Sequence, residues 1–405
     1  MQRAVDADNG PPAGAGEPLR GVSDVLALFR RSPTLTRAEI QRRTGLARST
    51  ANVRIDALIA ADLVVDAGGS STGGRPAGRF AFNRSRGLLL VADIGATGFR
   101  TAVCDLAGTV LAERRQVLDV STGPEPVLSA VAGDFATLLA HVEQPPDRVL
   151  GVGLDVPGPV DFASGTVVSP PIMTGWDRFD IRSWWRAHDY GCPVLVDKDV
   201  NAMAIGEHRT HYQHIDDMIM IKVGTGVGSG LITGGRVHHG ADGAAGDIGH
   251  IQLTDPDTDP GPECRCGNLG CVEAYAGGWA MLRDMRSAGH DVQTVADVVT
   301  ALRSGDTYAQ RLLRQAGRTL GRAIADAVSL LNPRVVAVGG QLAHTDEQLL
   351  AGIREVVYRR SLPLATRKLQ IVHSELDPRA GLVGLSGVLT DEILGPQRLE
   401  ALLDR

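Results

Sequence analysis

The strongest chemical signal in the sequence is a group of three cysteines within eight residues, Cys264, Cys266 and Cys271. A single residue separates the first two cysteines, so two sulfurs lie on one loop, and Gly267 and Gly270 let the backbone turn between the sulfurs. In a reducing compartment such a group is more typical of a metal site than of a disulfide framework. We therefore expect a bound metal ion at this point of the chain.

A second set of candidate residues follows short apolar runs, each of which predicts a buried strand. The runs cover residues 88–92, 149–156, 194–196, 218–223 and 335–338. An α/β fold places its chemistry in the loops that follow such strands. These loops contain Asp93, Gly95, Thr97, Gly158, Lys198, Asp199, Gly224, Thr225, Gly226, Gly339 and Gly340. The glycine-rich segment 224–230 alone is a weak signal, because it lacks the strand-helix-acid context of a dinucleotide site.

Residues 20–84 have the pattern of a small three-helix domain. Val22, Val25, Leu26 and Phe29 fall on one face of a first helix. Thr36 and Glu39 form a capping box that predicts the start of a second helix, and the Thr44-Gly45-Leu46 segment predicts its end. A third helix is expected over residues 48–60. Three short helices with a glycine turn before the third are typical of a helix-turn-helix.

The third helix and the segment after it carry the expected DNA contacts. Strands are predicted at residues 63–65 and 79–82, and the glycine-rich segment between them predicts a wing. The residues expected to face DNA are Arg48, Ser49, Thr50, Asn52 and Arg54 on the helix and Arg75 on the wing. An arginine on such a loop suits a narrow minor groove. The alternative is a small helical bundle with an ordinary solvated charged face.

Charge is divided unevenly along the 405 residues. Residues 20–86 hold 12 arginines against five acidic residues, a net charge of +7, whereas residues 87–405 carry −11. A basic N-terminal segment on an acidic body indicates that only the first part meets a polyanion. Residues 1–19 are expected to form a disordered tail without the apolar core of a signal peptide. With no stretch long enough to span a membrane, the expected location is the cytoplasm.

From about Val22 onward the sequence resembles the ROK family of repressors, open reading frames and sugar kinases, in the order of its repressor branch. The resemblance is carried by two segments, Ala-Gly-Asp-Ile-Gly-His at 245–250 and Cys-Arg-Cys-Gly-Asn-Leu-Gly-Cys-Val-Glu at 264–273. It implies an α/β, actin- and hexokinase-like two-lobed ATPase fold for residues 87–405. This body would sense a ligand and form oligomers, preceded by an α+β winged helix-turn-helix domain.

The resemblance also implies roles for individual residues. His250 with Cys264, Cys266 and Cys271 would form a closed set of four ligands for a structural zinc ion; the alternative is unligated thiols. Asp199 matches the catalytic base of the kinases and would act as one only if the chain is an active kinase. The residues expected to bind the ligand are Gly158, Lys198, Asp199, Asp247, His250 and Glu273.

The sequence departs from the pattern of the family's kinases at the first phosphate loop. Ala96 and Gly98 replace a glycine and a polar residue, and the Cβ of Ala96 crowds the expected path of a phosphate. ATP and Mg²⁺ are therefore not expected as cofactors. The remnants of the ATP loops are Asp93, Gly95, Thr97, Gly224, Thr225, Gly226, Gly339 and Gly340.

Two further departures lie in the ligand pocket, where Lys198 replaces an asparagine and Asp247 replaces a glutamate. Lys198 could pair with Asp197 or Asp199. Otherwise its charge would favour an anionic ligand such as a sugar phosphate or a sugar acid.

The sequence thus predicts a DNA-binding regulator, most simply a repressor of carbohydrate genes, that responds to a sugar-type effector. Its expected partners are double-stranded operator DNA, the effector and further copies of the chain in a homodimer or homotetramer, with no membrane. The alternatives are an active ATP-dependent sugar kinase and a regulator whose body binds no ligand and only holds the oligomer together.

Overall fold

The computed structural model describes residues 21–68, 78–187, 190–254 and 258–403. The chain divides into two compact units. One unit, which we call the head, holds the residues up to Arg86 together with the C-terminal segment from Leu394; the other, the body, holds Gly87–Ile393. Within the described residues no helix is both long and apolar enough to cross a membrane.

The head is a three-helix domain with a small antiparallel sheet in the order β1-β3-β2. Thr36 caps the second helix, accepts a hydrogen bond from the backbone N–H of Glu39 and completes the expected capping box. Gly45, with φ of +67°, ends that helix in the left-handed conformation that favours glycine. The elements are α1 (Val22–Arg30), β1 (Leu35–Thr36), α2 (Arg37–Thr44), α3 (Arg48–Ala60), β2 (Val64–Asp66) and β3 (Arg79–Phe82).

The first half of the body is a five-stranded sheet in the order β10-β7-β4-β5-β6. Strands β10, β7 and β4 run parallel, and β5 and β6 continue the sheet in antiparallel fashion. The elements are β4 (Leu88–Ile94), β5 (Phe99–Asp105), β6 (Val110–Gln116), α4 (Pro124–His141), β7 (Val149–Val156), β8 (Val160–Asp161), β9 (Thr166–Val167), α5 (Ile181–Arg186) and β10 (Val194–Lys198).

The second half is another five-stranded sheet, in the order β13-β12-β11-β14-β15. Its elements are α6 (Asp199–His211), β11 (Met218–Val223), β12 (Val227–Thr233), β13 (Arg236–Val237), α7 (Val272–Ala276), α8 (Gly278–Ser287), α9 (Val295–Arg303), α10 (Thr307–Leu331), β14 (Val335–Gly339), α11 (Gln348–Arg360), α12 (Pro363–Thr366), β15 (Gln370–His373) and α13 (Ala380–Ile393). Helix α6 packs on β11 and β12, and α13 packs on β4 and β7. Because α6 and α13 also pack on each other, they join the two sheets.

The expected fold class is confirmed, with two local differences. The glycine-rich segment is only a short turn, since residues from Val227 onward form β12. The last helix, α14 (Pro396–Leu403), packs on α1 and α3 of the head, with Leu399 buried, although the sequence assigned residues up to 405 to the body. The apolar residues of this short helix complete the core of the small head domain.

Candidate functional sites

His250, Cys264, Cys266 and Cys271 form one group, here named the cysteine cluster. Their ligand atoms all lie within 4.8 Å of one another. Cys264 Sγ lies 3.7 Å from His250 Nδ1, and Cys266 Sγ lies 3.8 Å from Cys271 Sγ. Metal–sulfur bonds of about 2.3 Å in a tetrahedral zinc site place two sulfurs about 3.8 Å apart. The group could therefore hold a metal ion such as zinc.

Local structure holds the cysteine cluster together. The backbone N–H of Gly267 donates to the carbonyl of Cys264 and closes a tight turn around the first two sulfurs. The guanidinium of Arg265 lies 5.0 Å from the ring centre of Trp279, which fastens this turn to α8. Burial and the neighbouring thiols raise the pKa of Cys271. A bound cation would offset this cost, because metal binding favours the thiolate form.

A second cluster lies where strands of both sheets end. Asp93 and Asp155 are register partners on β4 and β7, and Asp199 begins α6 directly after β10. Lys222 comes from β11 of the other sheet, and its Nζ donates to Asp199 Oδ2 at 2.6 Å. We call Asp93, Asp155, Asp199 and Lys222 the carboxylate cluster; its Lys222–Asp199 ion pair links the two sheets of the body.

Burial and neighbouring charges shift the pKa values of the groups in the carboxylate cluster. Burial raises the pKa of Asp155 well above its ordinary value, and the charge of Asp93 raises it further. Burial also raises the pKa of Asp93. Burial by itself would lower the pKa of Lys222, but the charges of Asp199, Asp93 and Asp155 outweigh burial and raise it. Lys222 therefore carries a full positive charge at neutral pH.

The expected ligand residues lie mostly around β12. Lys198 approaches Gly228 of this strand, the backbone of Ser229 bonds to Gly246 next to Asp247, and Glu273 accepts from the backbone N–H of Val227 at 2.9 Å. Glu273 also accepts from Trp279 Nε1 at 3.1 Å, so its carboxylate is already engaged. Asp247 is exposed. Gly158 is buried against Met173 after β7, and no described contact joins it to the other pocket residues.

Lys198 does not pair with either neighbouring aspartate. Asp199 is bound by Lys222, and Asp197 accepts from Asn201 Nδ2 and faces His239 Nε2, both at 2.9 Å. Among the contacts of the described residues, the Lys198 ammonium has no hydrogen bond or ion pair.

The expected ATP loops occupy three strand ends of the body. Gly95 and Gly98 close the turn between β4 and β5, and Thr97 between them is exposed. A side chain at position 98 would collide with the carbonyl of Gln116 on β6, so strand packing alone explains Gly98. The second turn, Gly224, Thr225 and Gly226, joins β11 to β12, and Gly339 and Gly340 follow β14, the parallel neighbour of β11. The backbone N–H of Gly340 donates to Asp377.

The outer face of α3 is the candidate DNA surface. Arg48 and Ser49 are exposed, whereas Thr50, Asn52 and Arg54 are half-buried. Asn52 accepts a hydrogen bond from Arg37 at 3.3 Å, which fixes its side chain against α2. One terminal nitrogen of Arg54 is buried and makes no hydrogen bond to a described residue. Arg75 lies outside the described residues, as does the wing at 69–77.

Sequence reasoning missed three residues of these sites, and it placed a fourth, Val53, on the outer face of the third helix without assigning it a DNA contact. Asp155 and Lys222 each interrupt an apolar strand with a charge, a signal that marks a buried polar group with a partner. Val53 is 69% exposed on α3, where an apolar side chain suits contact with a thymine methyl group. Trp279 gives no sequence signal, because only the fold brings its ring to Arg265 and Glu273.

Comparison with known proteins matches both units. Residues 23–65 match the winged helix-turn-helix DNA-binding model. The chain is 26% identical to the xylose repressor of Bacillus spizizenii over 91% of this chain and 94% of that one. It is 27% identical to the DNA-binding transcriptional dual regulator NagC of Escherichia coli over 83% of each chain.

Similar solved structures also belong to the ROK family. A ROK family transcriptional regulator, a homologue of the E. coli MLC protein, is 25% identical with a TM-score of 0.78, covering 95% of this chain and 98% of that one. A ROK family glucokinase from Streptomyces griseus, solved with glucose and AMPPNP, is 30% identical with a TM-score of 0.65, covering 75% and 99%. Residues 90–392 match the ROK family model, and the chain belongs to the ROK family, with a winged helix-turn-helix ahead of its family domain.

Proposed function

We propose that the chain is a cytoplasmic transcriptional repressor whose DNA affinity changes when a sugar occupies the body. The observation that carries the proposal is the joining of two units: a winged helix with exposed Arg48 and Ser49 and a ROK family body. The alignments with the xylose repressor and with NagC extend over 94% and 83% of those proteins, so the similarity spans both units of this chain.

The effector is a sugar or a sugar derivative. The names of two relatives point to xylose and N-acetylglucosamine. Carboxylates accept hydrogen bonds from sugar hydroxyls, and Asp199, Asp247 and Glu273 would serve in this way with His250 as a donor. Lys198 and the backbone at Gly158 complete the proposed pocket. Because Lys198 has no described partner, an anionic effector is the stronger form of this proposal.

Titration calorimetry with glucose, N-acetylglucosamine and their 6-phosphates tests the charge of the effector. We expect a phosphorylated sugar to bind at least tenfold more tightly than its neutral parent, and Lys198→Met to remove the difference. Equal or tighter binding of the neutral sugars would rule out the anionic form.

The metal ion proposed for the cysteine cluster is structural zinc. Zinc, when bound, supplies a fixed cross-link between the segment that ends at His250 and the loop of Cys264–Cys271. One imidazole and three thiolates form a closed set that leaves no position for a reacting water molecule. His250 Nδ1 faces the cysteines, so its Nε2 lies on the opposite edge of the ring, free to donate toward a ligand.

Regulation requires that the effector prefers one arrangement of the protein to another. The change in DNA affinity can be no larger than that preference. We propose a homodimer or homotetramer, because two heads would read the two halves of a pseudo-palindromic operator.

Gel-shift titration against DNA from upstream of the chain's own gene tests the DNA contacts. We expect Arg48→Ala and Arg75→Ala each to weaken binding about tenfold, since a lost arginine contact costs about 1–3 kcal/mol. Arg303→Ala, on the exposed surface of the body, is the matched control and should bind like the wild type. Unchanged affinity and salt dependence in both head variants would contradict the proposal.

The same assay tests the effector. We expect one of xylose, glucose, N-acetylglucosamine or their phosphates to weaken DNA binding at least tenfold, and Asp199→Asn to abolish that response. If none of these sugars changes the binding of the wild type, the body is a scaffold and not a sensor.

An ATP-dependent sugar kinase is the second candidate. In its favour are the identity with the glucokinase, the presence of Asp199 and the intact turn Gly224–Gly226. Against it stand Ala96 in the first loop and the engagement of Asp199 by Lys222. A coupled assay of ADP formation with glucose decides between them; steady turnover that Asp199→Asn abolishes would establish the kinase.

A further inference from the structure

The carboxylate cluster has the composition of a divalent cation site, but a side chain supplies its positive charge. Asp93, Asp155 and Asp199 are all carboxyl groups, the hard oxygen ligands that Mg²⁺ and Mn²⁺ prefer. Asp155 is fully buried on β7, beside its register partner Asp93 on β4. The charges of all three act on the Lys222 ammonium, which contacts Asp199 directly.

Lysine at position 222 stands out against the composition of the chain, in which nearly all basic side chains are arginine. Only three of its 41 basic side chains are lysines, and two of these adjoin Asp199: Lys198 precedes it in the chain, and Lys222 bonds to it. The ammonium of lysine is a compact point charge, as a metal ion is. The guanidinium of arginine is planar and spreads its charge and its donors over a wider group. A chain that uses arginine almost everywhere has lysine where three carboxyl groups converge.

The surrounding groups leave the ammonium no other role. Asp197, two residues before Asp199, accepts a hydrogen bond from Asn201 and faces His239. Lys222 lies in a strand whose other residues, Met218–Val223, are apolar and buried, so its charge would be costly without the cluster. Its side chain retains 24% exposure, so the ammonium is not fully enclosed by the strand.

We propose that the Lys222 ammonium is the permanent cation of the cleft and fills the place that a divalent metal ion would take among Asp93, Asp155 and Asp199. The cleft therefore accepts its ligand without Mg²⁺. The second statement rests on the proposed sugar response, whereas the first concerns metal binding alone and can be tested without any sugar.

Manganese is the probe, since free Mn²⁺ is counted directly by electron paramagnetic resonance. The full-length protein is used with its zinc content measured beforehand. We expect Lys222→Met to bind one Mn²⁺ per chain at least tenfold more tightly than the wild type does. The double variant Lys222→Met/Asp199→Asn should lose this site, and Lys368→Met, which removes the one lysine outside the cleft, should behave like the wild type.

A thermal readout separates this role from a merely structural one. The melting temperature of Lys222→Met should rise with Mn²⁺, while that of the wild type should not. If Lys222→Met does not fold, Lys222→Gln takes its place in the same titration. A folded Lys222→Met or Lys222→Gln that binds no Mn²⁺ overturns the proposal, and so does a wild-type Mn²⁺ site that Asp199→Asn removes.

The ligand half of the proposal is tested on the wild type alone. Sugar binding measured with and without millimolar Mg²⁺ should give the same dissociation constant, and a tenfold dependence on Mg²⁺ would refute it. If no sugar binds at all, the proposed function fails while the Mn²⁺ titration still decides the role of Lys222.

Discussion

The cysteine cluster and the carboxylate cluster are both groups of anionic side chains in the body, but they differ in how their charge is balanced. The first comes from a short stretch of chain and has the spacing of a site for an external metal ion. The second gathers residues from four strand ends, and the chain provides the cation itself. The two clusters thus illustrate two ways to neutralise a group of anionic side chains: a bound cation would do so in the first, and a basic side chain of the protein does so in the second.

Removing one cysteine ligand should have the largest effect. Cys264→Ser leaves three ligands, and zinc binding contributes directly to folding free energy. We expect the loss of the metal and a melting temperature lower by about 5 °C or more, because a few kcal/mol shift a domain of this size by that amount. Calorimetry with metal analysis measures both. Cys192→Ser is the control, and a zinc-free variant that melts like the wild type would remove the basis of the comparison.

Removing the internal cation should be the next largest effect. Lys222→Met leaves Asp199 partly buried beside two further carboxyl groups without a counter-charge. The loss of one partner from a buried ion pair costs about 3–5 kcal/mol, and the partial exposure of Lys222 reduces this to about 2–4 kcal/mol. Urea unfolding without added metal measures it. Lys368→Met should stay within about 0.5 kcal/mol, and an equally small change in Lys222→Met would show that Lys222 balances no charge.

Glu273 lies next to the cysteine cluster, two residues after Cys271, and holds the turn before β12 through the backbone of Val227. Glu273→Gln preserves its size but presents an amide donor to the N–H groups of Val227 and Trp279. We expect a loss of about 1–2 kcal/mol in unfolding free energy without loss of zinc. The exposed Glu263→Gln, next to Cys264, should change neither, and zinc loss in Glu273→Gln would show that Glu273 also supports the cysteine cluster.

The smallest effect is a change in pH dependence. The raised pKa of Asp155 means that the folded state holds its proton more tightly than the unfolded state. Its contribution to stability is therefore complete below the unfolded pKa of about 3.9 and declines as pH rises toward the folded value. Asp155→Asn removes this decline, so its stability relative to the wild type should increase between pH 5 and pH 8. Urea unfolding at both pH values checks the direction, and a constant difference would contradict it.

Sequence reasoning succeeded where the signal is local. The capping box of Thr36 and Glu39, the helix of residues 48–60 and the cysteine spacing each depend on neighbours a few residues apart. It failed at Lys222, because the carboxylates of Asp93 and Asp155 reach it only after two sheets have formed. The partner of Lys198 was likewise unpredictable, because the fold brings Lys222 and not Lys198 to Asp199.

Helix α14 belongs to the head although it follows the body in the chain. Helices α1, α2 and α3 precede the body in the chain, whereas α14, which packs on α1 and α3, follows the body. A nascent or prematurely terminated chain therefore lacks part of the core of its DNA-binding domain, whatever the state of its body. Deletion of α14 would therefore weaken the head even though the whole segment that matches the winged helix-turn-helix model, residues 23–65, remains.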